Sequence, residues 1–521
     1  MQEQDRVLLL AMLWIVYTIV LLLIVWAAVA GGGALRRALY TTPLPGPARS
    51  SVSLDVAKAA ATYGSVFRVS TDRVSGEIVL CDPTAIAHFY ANAPAIYRST
   101  DSARSFIKNV VGRGLTWAED AHHPMHRQAL APMFSSSAVE GFCGTFFDVV
   151  TKVQDVWSNA LASRPRGMVV DIQHWMNSVV LDSLGLVGFA HDFESLKGDY
   201  CIVTAAFYVL RAPHTNSPSD LIFRLALSTM PILRNIPTAK NRIIQDFRAY
   251  MGGIAGDILE RNDAQETKAQ GSEGTEDKSI LGLLIKSLAE NPAGEFRLSH
   301  AEVVAQNTLL FSGCETTAVT LDWLLVELAK NSAIQDTLRN ELRQVSGTFE
   351  YSKIVKLPYL HAVVDETLRL HPPIGSTSRV AVEDDIIPLS SPILTRSGET
   401  VASIHVAKGT VVTAPIHYIN TSETLWGAGA MRFDPGRWWQ DKSNDDFPGN
   451  RHLAFGDGPR ACIGTDFSLA LIKVVLYVVV SNFTFSFPDG PETIIESTGG
   501  RIPQPRMTGG GTELLMVVQS I

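Results

Sequence analysis

The sequence predicts a mainly α-helical protein with small β-sheets, preceded by one N-terminal transmembrane helix. Three observations predict it. Long stretches repeat apolar residues at helical spacing, among them "LPYLHAVVDETLRL", "TLDWLLVELAKNSAIQDTLRNELRQV" and "FSLALIKVVLYVVVSNF". Strand-like patterning is confined to two short regions. An uncharged apolar run sits at the N-terminus.

That run comes first. Residues 7–30, "VLLLAMLWIVYTIVLLLIVWAAVA", carry no charge, and a helix needs about 20 apolar residues to cross a bilayer. A cleaved signal peptide is the rival reading, because "AVAGGG" offers small residues for cleavage. Against it, "MQEQDR" carries two acids, and the run exceeds the usual h-region of about 7–15 residues. Arg36 and Arg37 follow, so the positive-inside rule leaves the rest of the chain cytosolic. Residues 1–35 are thus expected to form an anchor. Residues 36–50, with Pro43, Pro45 and Pro47, should form a semi-rigid hinge, and 51–521 the catalytic domain. An anchored enzyme suits a lipophilic substrate arriving through the lipid.

Within the body, 64–83 read as two short strands turning near 74–76, and 400–416 as a second strand pair turning at Lys408–Gly409. The third apolar helix, 467–483, has so wide an apolar face that burial is implied. Residues 262–279 are polar, lack aromatics and read as a mobile surface loop. Residues 217–237 are apolar with scattered prolines, suited to core packing or to a second membrane contact beside a substrate entrance.

Composition bounds the function. The chain has 521 residues, 46% of them hydrophobic, well beyond the ceiling of roughly 250–300 residues for one core. Net charge is −8 with no long basic run, which argues against a nucleic-acid surface. The five cysteines, Cys81, Cys143, Cys201, Cys314 and Cys462, are widely spaced without a CxxC pair. That disfavours a zinc site or a disulfide framework.

Cys462 stands in "AFGDGPRACIG". The glycines let backbone amides approach a sulfur, and the apolar helix that follows puts the cysteine near a helix N-terminus, where the dipole favours a thiolate. Phe455 can cover the sulfur, and Arg460 can reach an anionic edge. Alone, the loop leaves a lesser alternative open, a tight turn with an incidental buried cysteine. In "DETLRLHPP", Glu366 and Arg369 share a helix face. On so apolar a helix they should be buried and need a third partner, which Arg437 in "FDPGRWW" offers; a solvent-exposed pair is the alternative. In "LLFSGCETTAVTLDW", Gly313 costs about 1 kcal/mol against Ala and makes room against the helix. Glu315 and Thr316 then suit proton delivery. Thr316 could also bond the Ser312 carbonyl and distort the helix; an ordinary buried Thr with a solvated Glu315 is the alternative.

In this order the motifs resemble the cytochrome P450 family of haem-thiolate enzymes, over nearly the whole chain. Phe455, Gly458, Arg460, Cys462 and Gly464 match F-x-x-G-x-R-x-C-x-G; Glu366 and Arg369 match E-x-x-R, with Arg437 completing the buried triad. "SGCETT" matches the oxygen-activation motif, with Ser312 where Ala or Gly is usual. The resemblance implies haem b held by Cys462, with Phe455 and Gly456 beside it. It implies propionate partners at Arg460, at Arg379, and at His123 and Arg127 in "HHPMHRQALAPMFS". His123 stands where many members have Trp; Trp117 lies elsewhere. One large cofactor would also organise one oversized domain.

The resemblance, closest to fungal microsomal members, implies a monooxygenase of the endoplasmic reticulum membrane, single-pass, with its catalytic domain in the cytosol. Electrons would come from NADPH through cytochrome P450 reductase, with cytochrome b5 as an auxiliary donor. Ser312, Ile374 and Ile502 are expected in the substrate pocket, with neighbours from 97–115. These stretches read as mostly apolar or small, without a fixed charge aimed at an anion. That suits a terpenoid of secondary metabolism, or a fatty acid, sterol or xenobiotic. A reductase-independent isomerase or dehydratase, or a non-catalytic haem protein, would not need the Glu315–Thr316 pair.

Overall fold

In the computed structural model of the chain, the structure describes residues 14, 17, 18, 21, 31–47, 55–69, 76–198, 202–211, 239–268, 278–290, 298–345, 347–439, 452–498, 502–509, 511 and 513–521. They fall into two compact units that interleave along the sequence.

The first unit takes the chain up to Thr100 together with Ser376–Tyr418. Its centre is a five-stranded sheet in the order Val66–Val69, Glu77–Leu80, Val411–Ala414, Thr377–Ala381, Tyr97–Ser99. Only the second and third of these run parallel. The Val56–Tyr63 helix lays Ala59 and Ala60 on Phe67, Val69, Val79 and Cys81. The strand pair expected at 64–83 is present, with Val66 opposite Leu80.

The pair expected within 400–416 is not. Thr400–Val406 and Val411–Ala414 are both strands, but they enter different sheets. Thr400–Val406 pairs antiparallel with Asp385–Leu394, and Val411–Ala414 lies between two other strands. The turn between them is tight, with Thr410 N–H on the Ala407 carbonyl and Gly409 at φ 83°, yet it redirects the chain instead of folding it back.

The proline-rich stretch expected as a hinge is fastened to this unit. The Thr42 hydroxyl accepts His405 N–H at 2.7 Å. The Pro43 and Pro45 carbonyls accept Arg396 and Arg68 N–H at 2.7 and 2.9 Å. Proline cannot donate to a ladder but its carbonyl still accepts. Of the expected anchor, Trp14, Tyr17, Thr18 and Leu21 are helical, with Trp14, Tyr17 and Leu21 exposed; the rest of 7–30 lies outside the described residues.

The second unit is helical. Its site-bearing helices are α1 (Asp101–Val110), α2 (His122–Leu130), α3 (Ser136–Leu161), α4 (Ile172–Phe189), α5 (Thr308–Lys330), α6 (Pro358–Leu370) and α7 (Thr465–Asn482). The apolar run 320–345 is two helices, broken at Asn331. Helix α7 is buried nearly all round, as its wide apolar face predicts. It is long and apolar enough to span a bilayer, yet most of it lies inside the fold. Phe467, near its start, is ringed by Phe134, Phe142 and Phe146 with centroids at 6.1, 6.2 and 5.1 Å.

Glycines leave room for close approach on both α4 and α5. A Cβ on Gly185 would meet the His191 carbonyl at 2.5 Å, where the chain leaving α4 folds back on the helix. The space expected beside Gly313 is taken by Leu184 of α4, whose methyl would lie 3.3 Å from an added Cβ. The polar segment read as a loop from 262 begins as helix: Ala239–Lys268 is continuous, and 269–277 lie outside the described residues. So do 217–237.

Candidate active site

The cysteine loop is shaped by its glycines. Gly456 and Gly458 sit at φ 70° and 68°, the left-handed region where a Cβ is strained. Gly456 N–H bonds the Leu453 carbonyl and Cys462 N–H the Phe455 carbonyl, each at 2.9 Å. Phe455 therefore holds the cysteine through its backbone, while its ring lies 6.3 Å from that of His452. Gly464 differs: at φ −92° a Cβ there would make only ordinary contacts, 4.0 Å from the Cys462 sulfur.

Cys462 immediately precedes the first turn of α7, as expected. It lies deep among protein atoms yet its own surface is accessible, so the sulfur borders open space inside the fold. Burial pushes its thiol pKa up, while the Gly464 N–H, the Thr465 hydroxyl and the Arg127 charge pull it down. Arg127 on α2 donates to the Ala461 carbonyl at 2.6 Å. His123, one turn earlier, is buried on the same helix.

Arg460 is held by a residue that the sequence did not single out. Its guanidinium pairs with the buried carboxylate of Glu119 and donates to the Ala118 carbonyl at 3.3 Å. The residue after Glu119, Asp120, adopts φ 51°, which turns the chain into α2. Beside Arg127, His126 is buried with Nδ1 2.9 Å from the Gln306 amide and Nε2 3.5 Å from Glu302. Burial lowers the His126 pKa, which Glu302 partly opposes.

The α6 pair is the most enclosed charge cluster here. Glu366 and Arg369 are both 0% exposed and meet through two parallel bonds of 2.8 Å. The predicted third partner is present: Arg437 Nε lies 3.4 Å from Glu366. Trp438 Nε1 and Asp434 N–H add donors at 3.1 and 2.9 Å. Arg369 spends its remaining donors on the Asn420, Ala430 and Arg432 carbonyls, so every proton of the guanidinium is answered, as a buried ion pair requires.

On α5, Glu315 is 6% exposed and not solvated. Thr316 donates to the Ser312 carbonyl at 2.6 Å, the helix-distorting bond open to it from sequence. Its neighbour Thr317 bonds Ser468 of α7 at 3.4 Å. This contact ties α5, one residue past the acid–alcohol pair, to the first turn of α7. Ser312 and Ile374 are exposed, and Ile502 is half-buried. Trp323 of α5 donates to the Pro503 carbonyl at 3.4 Å and stacks flat on His371 at 4.0 Å, so the 502–503 segment is tied to α5. Arg379 stands on the Thr377–Ala381 strand of the first unit, where Nη1 reaches the Tyr97 carbonyl at 3.5 Å.

Glu119, Asn420 and Trp438 had no local signal beyond a polar or aromatic residue beside a motif; their partners are far away in sequence.

Comparison with known proteins identifies the family. The family model "Cytochrome P450" matches residues 48–508. Cytochrome P450 monooxygenase claP of Ampulloclitocybe clavipes is 42% identical over 514 residues, 94% of this chain and 95% of its own length. Cytochrome P450 monooxygenase 205 of Postia placenta is 31% identical over 84% of this chain and 82% of its own length. Ganoderic acid synthetase of Ganoderma lucidum is 29% identical over 88% of each.

Proposed function

The chain belongs to the cytochrome P450 family of monooxygenases, and on that premise we propose a membrane-anchored enzyme that inserts one oxygen atom from O2 into a lipophilic substrate, a terpenoid of secondary metabolism. The observation that carries the chemistry is Cys462, deep and accessible at once, at a helix N-terminus beside the Arg127 charge. The family implies haem, and these residues fit it: a soft anionic donor borders open space, with cationic and N–H donors around it. Cys462 would hold the iron, and Arg127 and Arg460 would face the propionates. Thiolate-ligated haem supplies the activation of dioxygen.

The chain's own residues do the rest. The Gly464 N–H and Thr465 hydroxyl steady the negative sulfur. Glu315 is the buried proton source and Thr316 the hydroxyl through which the proton is passed, by releasing its bond to Ser312. Ser312, Ile374 and Ile502 shape the substrate space. The α6 triad fixes the backbone that presents Cys462. Electrons arrive from NADPH through a membrane-bound reductase, with cytochrome b5 as auxiliary donor. The apolar run 7–30 anchors the chain in the endoplasmic reticulum membrane with its catalytic body in the cytosol. Relatives named as cytochrome P450 monooxygenases, and one named a ganoderic acid synthetase, support an oxidative role in the synthesis of a small organic acid or its relatives.

The test is carbon monoxide binding by the reduced full-length protein. A red-shifted thiolate Soret band, lost in Cys462→Ala, is the expected result; a wild-type protein without it would sink the assignment. Adding terpenoid scaffolds with NADPH and reductase should then give products heavier by one oxygen.

A further inference from the structure

The stretch 97–115 is not free of fixed charge. Arg104 of α1 places its guanidinium carbon 4.5 Å from the centre of the Trp117 ring, and Arg113 places its own 5.2 Å from the same ring. Two like charges on one indole repel each other, while each cation–π contact returns only about 0.5–2 kcal/mol. Among the described residues, neither arginine has an ion pair or a hydrogen bond, and the Nε of Arg104 is buried. The nearby buried carboxylate, Glu119, is engaged by Arg460. Arginine pairs of this kind present planar forks of donors that match a carboxylate, and an anion between them removes the repulsion.

We propose that Arg104 and Arg113, held by Trp117, form a carboxylate-binding site. This rests on the proposed function and narrows it to a substrate that carries an acid group. Trp117 is followed directly by Ala118 and Glu119, the two residues that hold Arg460. The same carboxylate chemistry could therefore be supplied by a haem propionate, and the experiment separates the two sources. Palmitic acid and oleanolic acid, each beside its methyl ester, are bound to the full-length haem-loaded protein by equilibrium dialysis. In parallel, haem loss to apomyoglobin is timed without ligand.

For a substrate carboxylate, the wild type binds at least one acid about tenfold more tightly than its ester. Arg104→Gln and Arg113→Gln bring that ratio near one, Arg104→Lys restores part of it, and haem loss is unchanged. For a propionate, the ratio does not move and haem leaves Arg104→Gln severalfold faster. If neither the ratio nor haem loss changes in either glutamine variant, the carboxylate site is overturned. Failure of the carbon monoxide test would remove the proposed function instead, since dialysis does not depend on the haem spectrum.

Discussion

Asn420 holds Leu453: its side-chain oxygen accepts the Leu453 N–H at 2.9 Å, while its own backbone carbonyl accepts Arg369 at 2.8 Å. One buried residue thus joins the α6 ion pair to the start of the cysteine loop. Asn420→Ala leaves the Leu453 N–H buried without that acceptor, at a cost of about 1–3 kcal/mol. We expect lower stability in denaturant and faster loss of bound haem. Unchanged haem retention would separate the loop from Asn420.

Breaking the ion pair itself costs more. Glu366→Ala strands the Arg369 charge in a site closed to solvent, and such losses run to about 3–5 kcal/mol. The expected outcome is little folded protein on expression. Glu366→Gln keeps the shape and some acceptors, so its folded yield should fall between alanine and wild type. Equal yields for all three would mean that the pair is dispensable.

Thr316→Ala removes the hydroxyl now bonded to Ser312. If this hydroxyl passes the proton, NADPH consumption continues but product per NADPH falls severalfold and peroxide rises, a loss smaller than the roughly 10²–10⁴-fold of a full acid–base contribution. Tight coupling in this variant would count against the relay. Gly313→Ala, by contrast, meets only a flexible Leu184 methyl, so near-normal stability is expected on melting.

Lys473 gives a pH signature. It is 2% exposed on α7, 3.0 Å from His361 Nδ1. Burial lowers its pKa to about 8 from 10.5, against the opposing pull of Asp365 and Asp466. The folded protein therefore releases this proton first as pH rises. Between those two values the unfolded chain binds more protons, so this lysine's contribution makes stability rise with pH. Below about pH 8 the cost of the buried charge is fully present. Lys473→Met should raise stability at pH 7 by about 1–4 kcal/mol. Thermal melts should show that advantage shrinking by pH 9.5; a constant advantage would contradict the shift.

Much of the site was legible because its chemistry is local. Glu366 and Arg369 are one turn apart, Glu315 and Thr316 are adjacent, and the glycines beside Cys462 announce a constrained loop. What was not legible depends on distant partners. Glu119 meets Arg460 and Asn420 meets Leu453 only in the folded chain. Gly313 correctly marked a close approach, but the neighbour is Leu184 of another helix. The partner of Thr400–Val406 was hidden by Pro388 and Pro392, which mask a strand whose register shifts between Pro388 and Ile393. The charge on 97–115 was visible as Arg104 and Arg113, yet only folding sets both on Trp117.

Helix α7 carries a practical consequence for topology mapping. A reporter fused soon after residue 482 would remove the Leu515–Ser520 strand that pairs with Phe483–Ser486, and with it Met516 and Val518 of the core that α7 shares. The truncated chain would then offer the translocon an apolar segment long enough to insert. Nested deletions would register a crossing created by the truncation, so whether and how the N-terminal run crosses must be read on full-length protein, by protease protection or by cysteine labelling.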